Sequence, residues 1–227
     1  QLYNALMNYI LPTGIAGAAT KHNLLINPTG RMGNAFWFAD SGANPLVLPL
    51  AVPYWDHTTV EDPIGPQLLG GAGAQFLYYG SLAGGASQSD LSEVIPYDRN
   101  SYGYPMSYPQ MTLSAWMVAG RTGVSTVTTL VTIEIQPYTD VNGLPKNGSA
   151  ICVISTEQQN TPVFLHKTEQ IPAGTLAIRV RRTAKNNTVG AGVVHTGAGS
   201  IMCQGGASTE LAPYRDDAHT NQYISAR

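Results

Sequence analysis

Apolar runs in this chain are short and are broken repeatedly by glycine or proline, so beyond the first dozen residues no segment keeps the three-and-four spacing of a helix. The 24 glycines and 15 prolines are scattered along 227 residues rather than gathered into a linker, which is the pattern of many strands joined by turns. Strands are predicted at Asn23 to Asn27, Ala35 to Ala39, Leu46 to Val52, Gln75 to Tyr79, Leu91 to Ile95 and Met111 to Ala119. Further strands are predicted at Thr129 to Gln136, Ala150 to Ser155, Val163 to Lys167, Leu176 to Arg182, Ala191 to Val194 and Ser200 to Gln204. Period-two alternation puts Val131, Ile133 and Ile135 on one face. In the Leu176 run it points Leu176, Ile178 and Val180 inward and Arg179 and Arg181 outward. The Asp140-Val141-Asn142-Gly143 segment supplies a turn between the Thr129 and Ala150 strands, since Asn-Gly tolerates positive φ. With no alternation of strand and helix, the expected class is all-β, an antiparallel two-sheet sandwich.

Composition removes several functions. Charged residues are only 11% of the chain, against the roughly 25% usual for soluble domains, and the net charge is -2, so neither a basic nucleic-acid surface nor intrinsic disorder is expected. No run approaches the ~18 apolar residues that would cross a bilayer, so no membrane insertion is expected. Leu2, Leu6 and Ile10 have helical spacing before Pro12 and Gly14, and a helix this short needs a surface to pack on, either a neighbouring subunit, which makes residues 1–20 an assembly arm, or its own domain, which it would cap.

Residues that could carry chemistry are few. His22, His57, His166, His195 and His219 lack metal-ligand spacing, the acidic group Asp56, Glu61 and Asp62 lacks a calcium-loop pattern and reads as a solvated loop, and no serine-nucleophile turn is present. No catalytic, metal or cofactor site is expected. Cys152 and Cys203 sit in apolar strand contexts and read as buried thiols, and Trp37 and Trp116 read as core. The densest feature is a proline-bounded stretch in which Tyr97, Tyr102, Tyr104 and Tyr108 interleave with Asp98, Arg99 and Asn100. Aromatic faces beside planar polar groups suit sugar rings, the same composition suits a protein interface, and ordinary loop packing is the third reading.

Four segments in order carry a family resemblance: His22 to Pro28 followed by Phe36-Trp37-Phe38, Thr112 to Ala119, Ile171 to Val180, and Gly206 to Arg215. They are similar to the opening strand, central strand, Ile-Pro-Ala-Gly-Thr turn and tail of the jelly-roll, carbohydrate-binding-module-like domains of bacteriophage tail fibres and other virion appendages. The resemblance implies a jelly-roll domain over 21–215, with 1–20 before it and a tail over 216–227. It also implies a virion location, a trimeric homo-oligomer, other virion proteins as partners, and cell-surface glycan as ligand. A capsid decoration or neck protein, and a secreted carbohydrate-binding or glycan-cleaving protein, are the alternatives.

Overall fold

The computed structural model of the chain describes residues 23–25, 37–40, 55–56, 75–96, 110–120, 123 and 125–205, and over these the backbone is strand and turn. In chain order the strands are β1 (Trp37–Ala39), β2 (Trp55–Asp56), β3 (Gln75–Leu82), β4 (Ser87–Ser92), β5 (Ile95–Pro96) and β6 (Gln110–Val118). They continue with β7 (Thr129–Tyr138), β8 (Ile151–Thr156), β9 (Val163–Gln170), β10 (Ala177–Asn186) and β11 (Gly192–Gly205). The predicted helix with Leu2, Leu6 and Ile10 lies outside the described residues, as does the 216–227 tail.

Two sheets result, and every pairing between named strands is antiparallel. Sheet A runs β1-β4-β10-β7-β8, with β5 taking the edge of β10 where β4 stops; sheet B runs β2-β3-β11-β6-β9. Between them lies one core: Trp37, Val131, Ile133, Ile135, Ile154, Ile178, Val180 and Ala184 from sheet A meet Met111, Leu113, Ala115, Met117, Val194, Ala198, Ile201 and Cys203 from sheet B. The expected inward face of Val131, Ile133 and Ile135 is thus the observed one.

Several expected boundaries move, each for a local reason. Ala191 to Val194 and Ser200 to Gln204 belong to one strand, β11; the small residues between them read as a break, yet they stay in the ladder. One extra residue between Gly199 and Met202 forms a bulge, which lets both Ala198 and Ile201 face the core. Leu91 to Ile95 is divided between β4 and β5, which pair successively with β10. Trp55–Asp56, expected in a solvated loop, is a short strand paired with β3. The Asp140 turn forms as expected: the Gly143 N–H donates to the Asp140 carbonyl at 3.1 Å, with Gly143 at φ 80°. It opens a longer connection to β8 rather than closing a tight hairpin.

Residues 23–25 continue the neighbour position of β11 beyond the bulge. The Leu24 N–H donates to the Cys203 carbonyl at 2.8 Å, and the Asn23 amide both donates to the Ile201 carbonyl at 2.7 Å and accepts from the Cys203 N–H at 3.0 Å. A side chain that gives and accepts at once completes a buried ladder that a shorter strand could not reach. Leu25 then enters the core.

Alternation along β10 has an unexpected occupant. Ile178 and Val180 face inward as predicted, whereas Leu176 precedes the strand and is 38% exposed. Arg182 shares the parity of Ile178 and Val180 and is fully buried. Directly across the ladder stands Asp90, equally buried, and the pair is bidentate, Nε to Oδ1 at 2.5 Å and Nη2 to Oδ2 at 2.5 Å. The Trp37 ring lies 4.0 Å from the guanidinium carbon, so the planar cation is held by a carboxylate at its edge and an indole on its face. Burial disfavours the charge on either residue, and each raises the other's charged form in return. Removing one partner strands the other charge: Asp90→Ala alone should lower stability by about 3 to 5 kcal/mol, while Asp90→Leu with Arg182→Met should restore most of it. Chemical denaturation of the parent and the two variants checks this, and equal losses for the single and the double change would contradict it.

Candidate functional site

β6 has neighbours on both sides, β11 and β9, so its only freedom is which face each side chain takes. Leu113, Ala115 and Met117 go to the core, and period two then sends Thr112, Ser114 and Trp116 to the outer face of sheet B. This corrects the expectation that Trp116 belongs to the core: Trp116 is one residue out of step with Leu113, Ala115 and Met117, and it is half-buried. Trp37, by contrast, is 1% exposed and belongs to the core as expected.

Register builds the rest of the face. Trp116 is opposite Phe164, Ser114 opposite His166, and Thr112 opposite Thr168, all in β9. The Trp116 and Phe164 rings are tilted by 60° with centroids 5.4 Å apart, and the His166 ring follows Phe164 at 6.3 Å, nearly parallel at 29°. Three rings therefore form a row, close enough for edge and offset contacts. Beyond it the Thr112 and Thr168 hydroxyls share a hydrogen bond of 2.7 Å. Met202 and Gln204 of β11 stand opposite Ser114 and Thr112 and complete the face.

Accessibility falls across this surface. His166 is exposed, Trp116, Phe164 and Thr168 are half-buried, and Thr112, Ser114, Met202 and Gln204 are buried. The open part lies along β9 and at Trp116, and the face closes toward β11. No carboxylate, lysine or arginine of β6, β9 or β11 has its strand parity on this face; Lys167 and Glu169 alternate to the other side of β9 and pair with each other at 2.8 Å. The chemistry on offer is ring stacking plus hydroxyl and imidazole hydrogen bonding.

The outer face of sheet A is different in kind. Arg181 pairs with Glu134, with Nε to Oε1 at 2.5 Å, and with Asp40 at 3.4 Å; Arg179, expected outward, does take that face but is 1% exposed. Its Nε donates to the Ser92 carbonyl at 2.7 Å, and its guanidinium lies over the Phe38 ring at 5.5 Å. These cations are engaged within the fold.

Cys152 and Cys203 are buried free thiols, as expected. Burial pushes the Cys152 thiol up to about 11 and raises that of Cys203 well above its ordinary value, which keeps both protonated and unreactive at neutral pH. Among the described residues no group of three His, Cys, Asp or Glu could hold a metal ion.

Tyr97, Asp98, Arg99, Asn100, Tyr102, Tyr104 and Tyr108 lie outside the described residues. What is described is how their segment is anchored: it leaves β5 at Pro96, opposite Ala177, and enters β6 at Gln110, opposite Gln170. Phe164 and His166 were not distinguished in the sequence, although the alternation Phe164, His166, Thr168 against Leu165, Lys167, Glu169 was available to find them.

No protein-family model matches the chain, and no curated protein matches it. Solved structures similar to it include the enzymatically active domain of tailspike protein 4 from bacteriophage CBA120, at 12% identity and a TM-score of 0.44 over 80% of this chain and 21% of that one. The xylan-binding CBM22-2 domain of Xyn10C from Paenibacillus barcinonensis is similar at 10% identity and a TM-score of 0.43, covering 81% of this chain and 97% of that one. The tripod from the baseplate of bacteriophage Tuc2009 is similar at 13% identity and a TM-score of 0.38, over 64% of this chain and 50% of that one. The chain thus spans about a fifth of the tailspike domain. Its structural neighbours are bacteriophage tailspike and baseplate proteins together with carbohydrate-binding modules.

Proposed function

We propose that this chain is a virion-appendage domain of a bacteriophage, of jelly-roll type, that attaches to cell-surface glycan through the outer face of sheet B. The observation that carries the reading is the row of Trp116, Phe164 and His166, with the Thr112 and Thr168 hydroxyls beyond the imidazole. A pyranose ring has an apolar face and a rim of hydroxyls; aromatic rings satisfy the first, and Thr168 and the imidazole satisfy the second. The ordered segments around Asn23, Thr112 and Ile171 support the same family reading. In the structure they are the β11 companion strand, β6 and the turn into β10, where the Thr175 N–H and hydroxyl both donate to the Pro172 carbonyl.

The proposed activity is binding rather than cleavage. Glycoside hydrolysis uses two carboxyl groups flanking the bond, and β6 and β9 bring none to the ring row. Trp116→Ala and Phe164→Ala should each weaken glycan binding several-fold while leaving the fold intact, because each removes a contact surface from a half-buried position. Glycan-array binding of parent and variants, with melting curves alongside, checks this. Unchanged binding by both variants would remove sheet B as the site, and no glycan bound by the parent would leave the capsid-decoration or neck role as the better account.

Assembly is the second part of the proposal. The chain forms a homotrimer with other virion proteins as further partners, and the apolar stripe Leu2, Leu6 and Ile10 is its contact. Deleting residues 1–20 should lower the mass seen by light scattering; an unchanged trimer would contradict that role for the stripe.

A further inference from the structure

One side of the sandwich is bounded by two edge strands, β8 of sheet A and β9 of sheet B, which lie against each other. Edge strands present unpaired backbone groups and need cover. β8 is also irregular: Ile133 pairs with Ile154 but Ile135 pairs with Ile151, so β8 carries one residue more than β7 across this step. Cys152 sits in that bulge with φ at 53°, a left-handed conformation that a residue with a Cβ rarely adopts. The surroundings must hold it there.

We propose that Glu169 is the clasp that closes this side, fixing the bulged strand of sheet A to the edge strand of sheet B. Its Oε2 accepts the Cys152 N–H at 2.5 Å, and its Oε1 is held by the Lys167 ammonium at 2.8 Å. The Cys152 thiol donates to the carbonyl of Met111 at 3.2 Å, and Met111 is the β6 residue directly opposite Glu169. Cys152 is therefore gripped at its amide and its thiol by two residues paired with each other in the opposing sheet. Lys167 and the Cys152 N–H hold the Glu169 carboxyl below the usual carboxylate range, so it stays charged at neutral pH and accepts both bonds as an anion. β9 turns Phe164 and His166 to the other face, so the same residue positions the strand that carries two of the three rings.

Thiol labelling tests the clasp without any ligand. The full chain, Glu169→Ala and Glu169→Gln are treated at neutral pH with a small aromatic disulfide, and the labelled peptides of Cys152 and Cys203 are resolved by mass spectrometry. In this exchange a protein thiolate attacks the reagent's disulfide, one sulfur–sulfur bond replaces another, and an aromatic thiolate leaves. Loss of a charge-assisted hydrogen bond should speed labelling of Cys152 about tenfold in Glu169→Ala, with Glu169→Gln between it and the parent and Cys203 unchanged. Equal acceleration of both cysteines, or of neither, would overturn the proposal. Should Glu169→Ala not fold, Lys167→Met decides by the same comparison, with a smaller rise at Cys152 alone supporting the clasp and a uniform rise or none overturning it.

Discussion

The inward demand of Leu113, Ala115 and Met117 in β6 is the constraint from which the rest of this structure follows. β6 is paired on both sides, and these residues, with Met111, share one core with Val131, Ile133 and Ile135 of the opposing sheet. A slip of one residue would turn Thr112, Ser114 and Trp116 into the core and expose the apolar set, so the register is strongly specified. Once β6 is fixed, β9 is fixed through eight paired positions, and Phe164 and His166 come to lie beside Trp116. The β11 bulge serves the same demand from the other flank, since it lets Ala198 and Ile201 both face the core along a 14-residue strand. The ring row is therefore a by-product of core packing and needs no loop to position it.

Several polar groups inside the fold are matched by a partner on a neighbouring strand. Asp90 and Arg182 oppose each other in neighbouring strands, Asn23 completes the β11 ladder, and Thr196 donates to the Val118 carbonyl at 2.7 Å. In sheet A this matching consumes the charge, which leaves Arg179 and Arg181 with internal partners. On the outer face of sheet B, β6 and β9 put forward rings and hydroxyls instead. That contrast separates a face whose charges are spent on the fold from one whose described strands β6 and β9 carry neutral groups.

Much of the fold was legible because strand alternation is a local signal. Val131, Ile133 and Ile135 announce their face, Gly143 announces its turn, and the thiols of Cys152 and Cys203 announce burial by their apolar neighbours. The misplaced features depend on partners far away in sequence. Arg182 looks like a surface residue until Asp90 is set opposite it, 92 positions earlier. Trp116 looks like core because it is large and apolar, yet Leu113, Ala115 and Met117 had already claimed the inward parity. The tyrosine-rich segment lies outside the described residues, and Phe164 and His166 come beside Trp116 only through the β6–β9 register, which a single strand does not display.

The central claim is that saccharide seats on the ring row of sheet B, and a crystal structure of the chain with the best-bound oligosaccharide tests it most directly. The account predicts a sugar ring stacked on Trp116 or Phe164, with its hydroxyls reaching His166 or Thr168. A saccharide seated instead against residues 97–108, with Trp116 and Phe164 left uncovered, would contradict it.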